Sequence, residues 1–468
     1  MRCASTIIAL KGFGEGSHLP FLSLRAVDSV DGTAPLTYIR GTGLNQREGA
    51  GMLKSSFLAF AVLAFATSAS AGEAQINVND LARQRAPVAL LGDDGMARVI
   101  WENTKLGILS RVVPAHDPAS ASSEEALLLE NTHVASIPGE GVVITHRQPI
   151  ALGDGDGGFW LLWIRQRDYL RVEPFWERRD PLSQEIRLRR FDRNGRPVGR
   201  ERIVAWAGPL KSEATAAHTP DGGFVIAWTS SDGDPATISR EGVFARWFDR
   251  DGAPIGPSTQ VSAIGDADLA RWPSLAVDAT GRVLALWHAP DGSSTGVFAR
   301  LYDENRTAVD VPHRLNLNPV GEQKRPAAVA LDDGGYLVLW QGPRNTGLRT
   351  RVYLQALDAL GLPSGTEREI TSGRLAHEMG PAIARTPRGT YFAAWVVWDA
   401  SFPREIRGVE LNADGARIGE ELPLNSSPLN TQYRATLSGD SSTGLLAIWE
   451  GFLERRAGIN ALPLPFLD

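Results

Sequence analysis

Short apolar runs that end in tryptophan recur along the chain, each entered through a polar turn; the sequence reads DGGFVIAW up to Trp228 and DDGGYLVLW up to Trp340. Seven such runs end at Trp101, Trp163, Trp228, Trp287, Trp340, Trp395 and Trp449, spaced 62, 65, 59, 53, 55 and 54 residues apart. Apolar runs this short, bounded by turn residues, predict β-strands, and the glycines supply the positive φ that tight hairpins need. Fourteen residues before the tryptophan stands a proline in five repeats (Pro87, Pro149, Pro273, Pro326 and Pro381), with Ala214 and Ala435 in the other two. A further block reads FDRNG from Phe191, FDRDG from Phe248, YDENR from Tyr302, LDALG from Leu357 and LNADG from Leu411. Nine residues after each block ends comes an apolar position: Val204, Val261, Leu315, Ile370 and Leu424.

Each repeat therefore predicts a proline-led inner strand, the tryptophan strand, a strand of the GVFARWFD type and an outer strand. Seven copies predict an all-β fold, a seven-bladed β-propeller with four-stranded blades over residues 72–468. The seventh repeat runs out after its third strand, in AGINALPLP, and lacks an outer one. QINVND, near the predicted mature amino terminus, offers a spare strand, because Ile76 precedes Pro87 by eleven residues, the spacing of Leu315 from Pro326. Ile76 to Asn79 is thus expected to complete the last blade and to pair otherwise open strand edges. The repeated tryptophans read as packing between blades rather than as carbohydrate platforms, since a repeat buries its apolar face only against its neighbours.

The chain resembles repeats of the DGGFVVAW, GVFARFD and DGxPxG type that recur in large secreted bacterial proteins. The resemblance is carried by DGGFVIAW and GVFARWFDRDGAPIG and covers nearly all of residues 72–468. The first repeat departs from it, with an insertion from His116 to Ala126 and no FDxxG block. The resemblance implies the repeat architecture and assigns no activity.

Upstream of the repeats, MLKSSFLAFAVLAFATSASAG joins one lysine, ten apolar residues and the small triplet Ala69, Ser70, Ala71. This predicts a signal peptide over 52–71 cleaved after Ala71, and makes 1–51 an extension upstream of the true start at Met52. Cleavage would remove Cys3, the single cysteine, leaving a thiol-free chain suited to the periplasm or the extracellular space. One cysteine also excludes a disulfide framework and a multi-cysteine zinc site. No apolar run reaches the roughly 18 residues of a membrane span, so none is expected in the mature chain. The net charge of −6 argues against a nucleic-acid partner, whose binding domains usually have pI above about 9.

Several short motifs fail once set in the repeat register. Gly439 to Gly444, GDSSTG, falls where other repeats have a DDGG hairpin turn, and no GxSxG elbow occurs elsewhere. His377 and Glu378 begin a zinc-helix pattern, but Pro381 occupies the second histidine position. Asp154 with Asp156, Asp93 with Asp94, and Asp332 with Asp333 hint at calcium, yet each precedes a tryptophan strand as a turn and lacks the acidic twelfth ligand. No cofactor is called for, calcium being the minor alternative. Carboxylates for glycoside hydrolysis need only meet in space about 5 to 9.5 Å apart, and the sequence singles out no pair.

Binding residues are expected on the face where insertions collect, between the second and third strands of each repeat. The longest such segment, IRQRDYLRVEPFWERRDP in the second repeat, offers Arg165, Arg167, Tyr169, Phe175 and Trp176 as anchors for planar or anionic groups. Its interleaved acids, Asp168, Glu173, Glu177 and Asp180, would instead pair these arginines within a solvated loop. A second set, Arg85, Arg147, Arg271, Arg325 and Arg434, lies one or two residues before the alignment position of an inner strand. In a propeller these converge at the mouth of the central channel, where charge of one sign focuses the field, unless they pair with neighbouring acids. The leading reading is a non-catalytic propeller binding an anionic glycan or cell-envelope component on this face. The alternatives are a polysaccharide lyase or glycosidase using the same face, and a structural or adhesive scaffold whose partner is another protein.

Overall fold

The repeats form seven antiparallel sheets around a central channel, a seven-bladed β-propeller, in the computed structural model of the chain. The structure describes residues 73–78, 82–137, 140–173, 176–208, 213–231, 241–262, 270–344, 349–371, 376–399, 402–425, 432–440, 444–453 and 456–464. The predicted signal peptide and the extension before it lie outside these. The inner strands of the repeats, in blade order, are Gln84–Leu91, Glu140–Gly153, Ala214–His218, Arg271–Val277, Lys324–Ala330, His377–Arg385 and Gln432–Asp440. No helix among the described residues is long and apolar enough to cross a membrane.

The tryptophans decide how blades meet. All seven that end the second strands are at most 3% exposed. Each belongs to a different apolar cluster, and each cluster joins two neighbouring blades. Trp287, for example, packs with Val283 and Ala285 of its own blade and with Val225, Ala227, Val243 and Val261 of the preceding one. Trp101 does the same against Leu446, Ile448, Ile459 and Ala461 of the seventh blade, across the point where the ring closes. Burying an indole covers roughly 150–250 Å², which at about 25 cal/mol/Å² is an upper bound of about 4–6 kcal/mol each. The five apolar positions downstream of the FDxxG blocks are buried as well, Val204, Val261, Leu315, Ile370 and Leu424 all lying at 7% exposure or less.

The FDxxG blocks are the hairpin turns between third and outer strands. In FDRDG the Asp249 amide donates to the Ala253 carbonyl, and Asp249 Oδ1 accepts from the amides of Asp251 and Ala253 at 3.0 and 2.7 Å. Gly252 stands at φ +68°, the left-handed position that closes such a turn, and a Cβ there would press into the Trp160 indole of the preceding blade. Asp192, Asp303, Asp358 and Asn412 play the part of Asp249 in their blades, so these side chains are consumed by local structure.

Two features depart from expectation. The last blade is completed by the amino-terminal strand, but the ladder pairs Ala74 with Ala461 and Gln75 with Asn460, two residues upstream of the predicted stretch. Ile76 still donates its amide to the Ile459 carbonyl and is fully buried, while Asn77 Oδ1 accepts from the Ile459 amide at 2.7 Å. Asn316 and Asn425 make the same bond to Val297 and Ile406, so Ile76–Asn77 copies the Leu315–Asn316 and Leu424–Asn425 pairs. Asn79 lies outside the described residues. The second departure is blade 2, which has five strands because Thr132–Ile137 adds to the inner edge. The segment read as a loop after Trp163 is a continuous hairpin, Phe159–Glu173 paired with Trp176–Phe191. It runs ten residues beyond Trp163, against three beyond Trp287 in blade 4, and so projects about 23 Å further at about 3.3 Å per residue.

Trp340→Ala should cost about 3–5 kcal/mol in denaturant unfolding, the range for truncating a buried aromatic, whereas exposed Val311→Ala should stay within about 0.5 kcal/mol. Asn77→Ala should cost about 1–3 kcal/mol, because the buried Ile459 amide is left unsatisfied; a change below about 0.3 kcal/mol would mean that this bond does not hold the closing strand.

Candidate functional site

The inner strands carry a bulge where they reach the face bearing the long hairpin. In blade 1 Arg85 pairs with Glu102 and Val88 with Ile100, so Ala86 and Pro87 together face Trp101. The same two-against-one step occurs at Gln148–Pro149, Trp272–Pro273, Arg325–Pro326 and Gly380–Pro381. Proline suits the step because it has no amide hydrogen to pair. The residue before it is left-handed in all five blades, with φ of 47° at Ala86, 51° at Gln148, 57° at Trp272, 54° at Arg325 and 62° at Gly380. Four of these are not glycine, and such a conformation costs about 1–3 kcal/mol at each unless its surroundings hold it.

In three of the five the preceding blade holds it. The Ala86 amide donates to Glu450 Oε1 at 2.8 Å, the Gln148 amide to Glu102 Oε2 at 3.1 Å and the Gly380 amide to Gln341 Oε1 at 3.0 Å. Each acceptor is the residue directly after the buried tryptophan, in Trp449–Glu450, Trp101–Glu102 and Trp340–Gln341. This role was not read from the sequence, although a glutamate or glutamine directly after the tryptophan is the signal that marks it.

The left-handed residues all line a cavity of about 900 Å³ at the channel mouth. Around it stand Arg83, Arg85, Arg147, Arg325 and Arg404 against Glu102 and Glu450, so the described lining is positive on a chain of net charge −6. Both glutamates already accept bulge amides, and Glu102 also lies 3.7 Å from Arg147. Trp272 is the aromatic surface of the mouth, with the Arg325 guanidinium 4.7 Å from its ring centroid. A second recess, of about 420 Å³, opens between blade 1 and the projecting hairpin of blade 2. Arg85, Glu102 and Arg147 line both cavities. The hairpin contributes Gln166, Asp168 and Gln184 to this recess.

The predicted residues divide accordingly. Arg85, Arg147 and Arg325 line the mouth together. Arg271 lines neither cavity; it pairs across the strand with His288. Arg434 stands at the blade 7 bulge, but its side chain lies outside the described residues. Arg165, Arg167 and Tyr169 alternate with Gln166 and Asp168 along one strand and line neither cavity. There Arg165 pairs with Glu185 at 3.4 Å, Tyr169 donates to the Glu140 carboxylate, and Arg171 covers the Tyr169 ring at 5.4 Å. Phe175 and the Trp176 side chain lie outside the described residues. Arg404 and Trp272 were not singled out in the sequence; neither belongs to a repeated residue type.

The motifs set aside earlier have structural partners. Asp154 and Asp156 both bind Arg190, at 2.8 and 3.0 Å. Glu378 is buried against Arg351, and the His377 ring stacks on Trp398. Serine 441 lies outside the described residues. Among the described residues no group of three or more histidine, cysteine, aspartate or glutamate side chains is placed to hold a metal ion.

No family model and no curated protein matches the chain. Solved structures similar to it include a protein of unknown function from Dyadobacter fermentans, at 11% identity over 84% of this chain and 99% of that one, TM-score 0.47. The alpha-L-arabinofuranosidase of Fusarium graminearum, solved with arabinobiose, is 13% identical over 67% of this chain and 91% of that one, TM-score 0.42. An alpha-L-arabinofuranosidase from Lactobacillus brevis is 10% identical over 74% and 96%, TM-score 0.38.

Two histidines beside the site are held neutral. Burial, with Arg165 and Arg187 nearby, pushes His146 down to about 4; burial, with Lys324, Arg271 and Arg325, does the same to His288. The unfolded chain takes up these protons near the ordinary histidine value of about 6.5, so both should withdraw stability as pH falls from about 6.5 to about 4. Replacing both with glutamine should flatten that part of the unfolding free-energy profile. A wild-type profile equally flat in that window would show that they titrate normally in the folded protein.

Proposed function

We propose that the channel mouth binds an acidic glycan, such as a uronate-bearing polymer of the cell envelope or its surroundings. The carrying observation is the mouth itself: five arginines and two glutamates around a cavity of about 900 Å³ on a chain whose net charge is negative. Guanidinium groups take carboxylates through paired hydrogen bonds, and convergent positive charge in a cleft draws anions to it. Trp272 adds an aromatic surface to the mouth, with the Arg325 guanidinium lying over its ring. Arg85, Arg147, Trp272 and Arg325 stand at or beside the left-handed bulges of the inner strands, and Arg404 on the third strand Phe402–Leu411, so little ordering remains to be lost when ligand arrives. Export directed by residues 52–71 would bring the protein to such polymers.

Calorimetric titration with oligogalacturonate tests the reading. Affinity should fall from low to high salt, and Arg325→Ala combined with Arg404→Ala should raise Kd about tenfold or more, since a hydrogen bond to a charged group contributes about 1.5–3 kcal/mol. Unchanged affinity in that variant, or binding indifferent to salt, would overturn it. New reducing ends in the same mixture would make the site that of a glycosidase or lyase.

A further inference from the structure

The recess beneath the blade 2 hairpin holds a carboxylate that the fold does not neutralise. Asp168 is 4% exposed and lines the recess. Among the described residues no cation lies within ion-pair distance of it; its hydrogen bonds come from one nitrogen, Gln166 Nε2, at 2.8 Å to Oδ1 and 2.9 Å to Oδ2. A carboxylate offers about four acceptor positions, of which Gln166 fills one on each oxygen, and leaving the others unmet in a desolvated place is costly. The amide that reaches Asp168 is itself fixed, because Arg147 Nη1 donates to Gln166 Oε1 at 2.7 Å and Gln184 Nε2 to the same oxygen at 3.4 Å. Arg147 in turn lies 3.7 Å from Glu102. The chain Glu102–Arg147–Gln166–Asp168 therefore runs from the channel mouth into the recess and ends on unfilled acceptors.

We propose that this recess is a subsite for a neutral, hydroxyl-rich sugar ring, with two adjacent hydroxyls donating to Asp168. It deepens the glycan reading above and rests on it: the ligand would join an acidic residue at the arginine mouth to an uncharged residue in the recess. Three features favour a neutral donor. Arg85, Arg147 and Arg179 line the same recess and disfavour an ammonium group. An acidic ring would set its carboxylate against Asp168 and Glu102, while Arg147 is already engaged. A pair of neighbouring hydroxyls matches the two oxygens of one carboxylate, and a volume of about 420 Å³ falls in the usual range for small ligands, about 300–1,000 Å³. The two cavities share Arg85, Glu102 and Arg147, so one oligosaccharide can occupy both.

The test is calorimetric titration with three tetrasaccharides: oligogalacturonate, one alternating glucuronate with neutral hexose, and one entirely neutral. Wild type should prefer the alternating probe over oligogalacturonate by about tenfold, near the worth of one charge-assisted hydrogen bond, and bind the neutral one most weakly. Asp168→Asn, which keeps the side-chain shape, should erase that preference while leaving the Kd for oligogalacturonate and the melting temperature unchanged. Asp168→Glu, which keeps the charge but moves it by one methylene, should erase it too. If Asp168→Asn weakens both acidic probes alike, or neither, or if wild type shows no preference, the subsite is refuted and the mouth is not. If the Arg325→Ala, Arg404→Ala protein binds every probe as wild type does, the mouth reading falls instead.

Discussion

Each indole of the tryptophan ring is covered by two blades at once, and the remaining features of the molecule follow from where it sits. A blade is too thin to bury its own apolar face, so the seven interfaces hold the core, and each contains one of the seven tryptophans that end the second strands. Opposite the tryptophan the neighbouring strand of the same blade takes one residue more than the ladder requires. In five blades that extra residue takes the left-handed turn before the proline, and in four of them, at Ala86, Gln148, Trp272 and Arg325, the turned residue brings a side chain to the channel mouth. The geometry of the mouth is thus a by-product of interface packing, repeated around the ring and varied only in which residue occupies the turned position.

The same arrangement explains why the mouth is positive although acids stand in it. Glu102 and Glu450 follow buried tryptophans and accept bulge amides from the next blade, so their charge is spent on holding strained backbone. Of the arginines around them, Arg325 and Arg404 lie over the rings of Trp272 and Trp398, and Arg147 lies beside Glu102. Strain, acid and base are therefore gathered at one rim, while the opposite face consists of short turns whose aspartates bind their own backbone.

Much of this was legible in the sequence because it repeats. The tryptophan register, the prolines fourteen residues upstream and the FDxxG turns recur often enough to define strands, blade count and ring closure. What escaped depends on offsets of one or two residues. Arg325 occupies the turned position at its bulge, whereas Arg85, Arg147 and Arg271 each stand one residue earlier in theirs; of these three Arg85 and Arg147 line the mouth and Arg271 does not, a distinction that spacing from the proline does not give. The blade 2 hairpin read as a loop because it falls where the repeats vary in length, and because Arg165 and Arg167 alternate along it with Gln166 and Asp168. Its strand character comes from pairing with Glu140–Gly153, whose bulge at Pro149 the sequence did not connect to it.

Hydrogen exchange of the whole chain, with and without an acidic oligosaccharide, tests the central claim most directly, since it reports where ligand lands independently of any substitution. Binding at the mouth predicts slowed exchange in the segments that carry the bulges, around residues 84–88, 147–150, 271–274 and 324–327, with the FDxxG turns of the opposite face unaffected. Protection confined to those turns or to the outer strands, with the bulges unchanged, would contradict it.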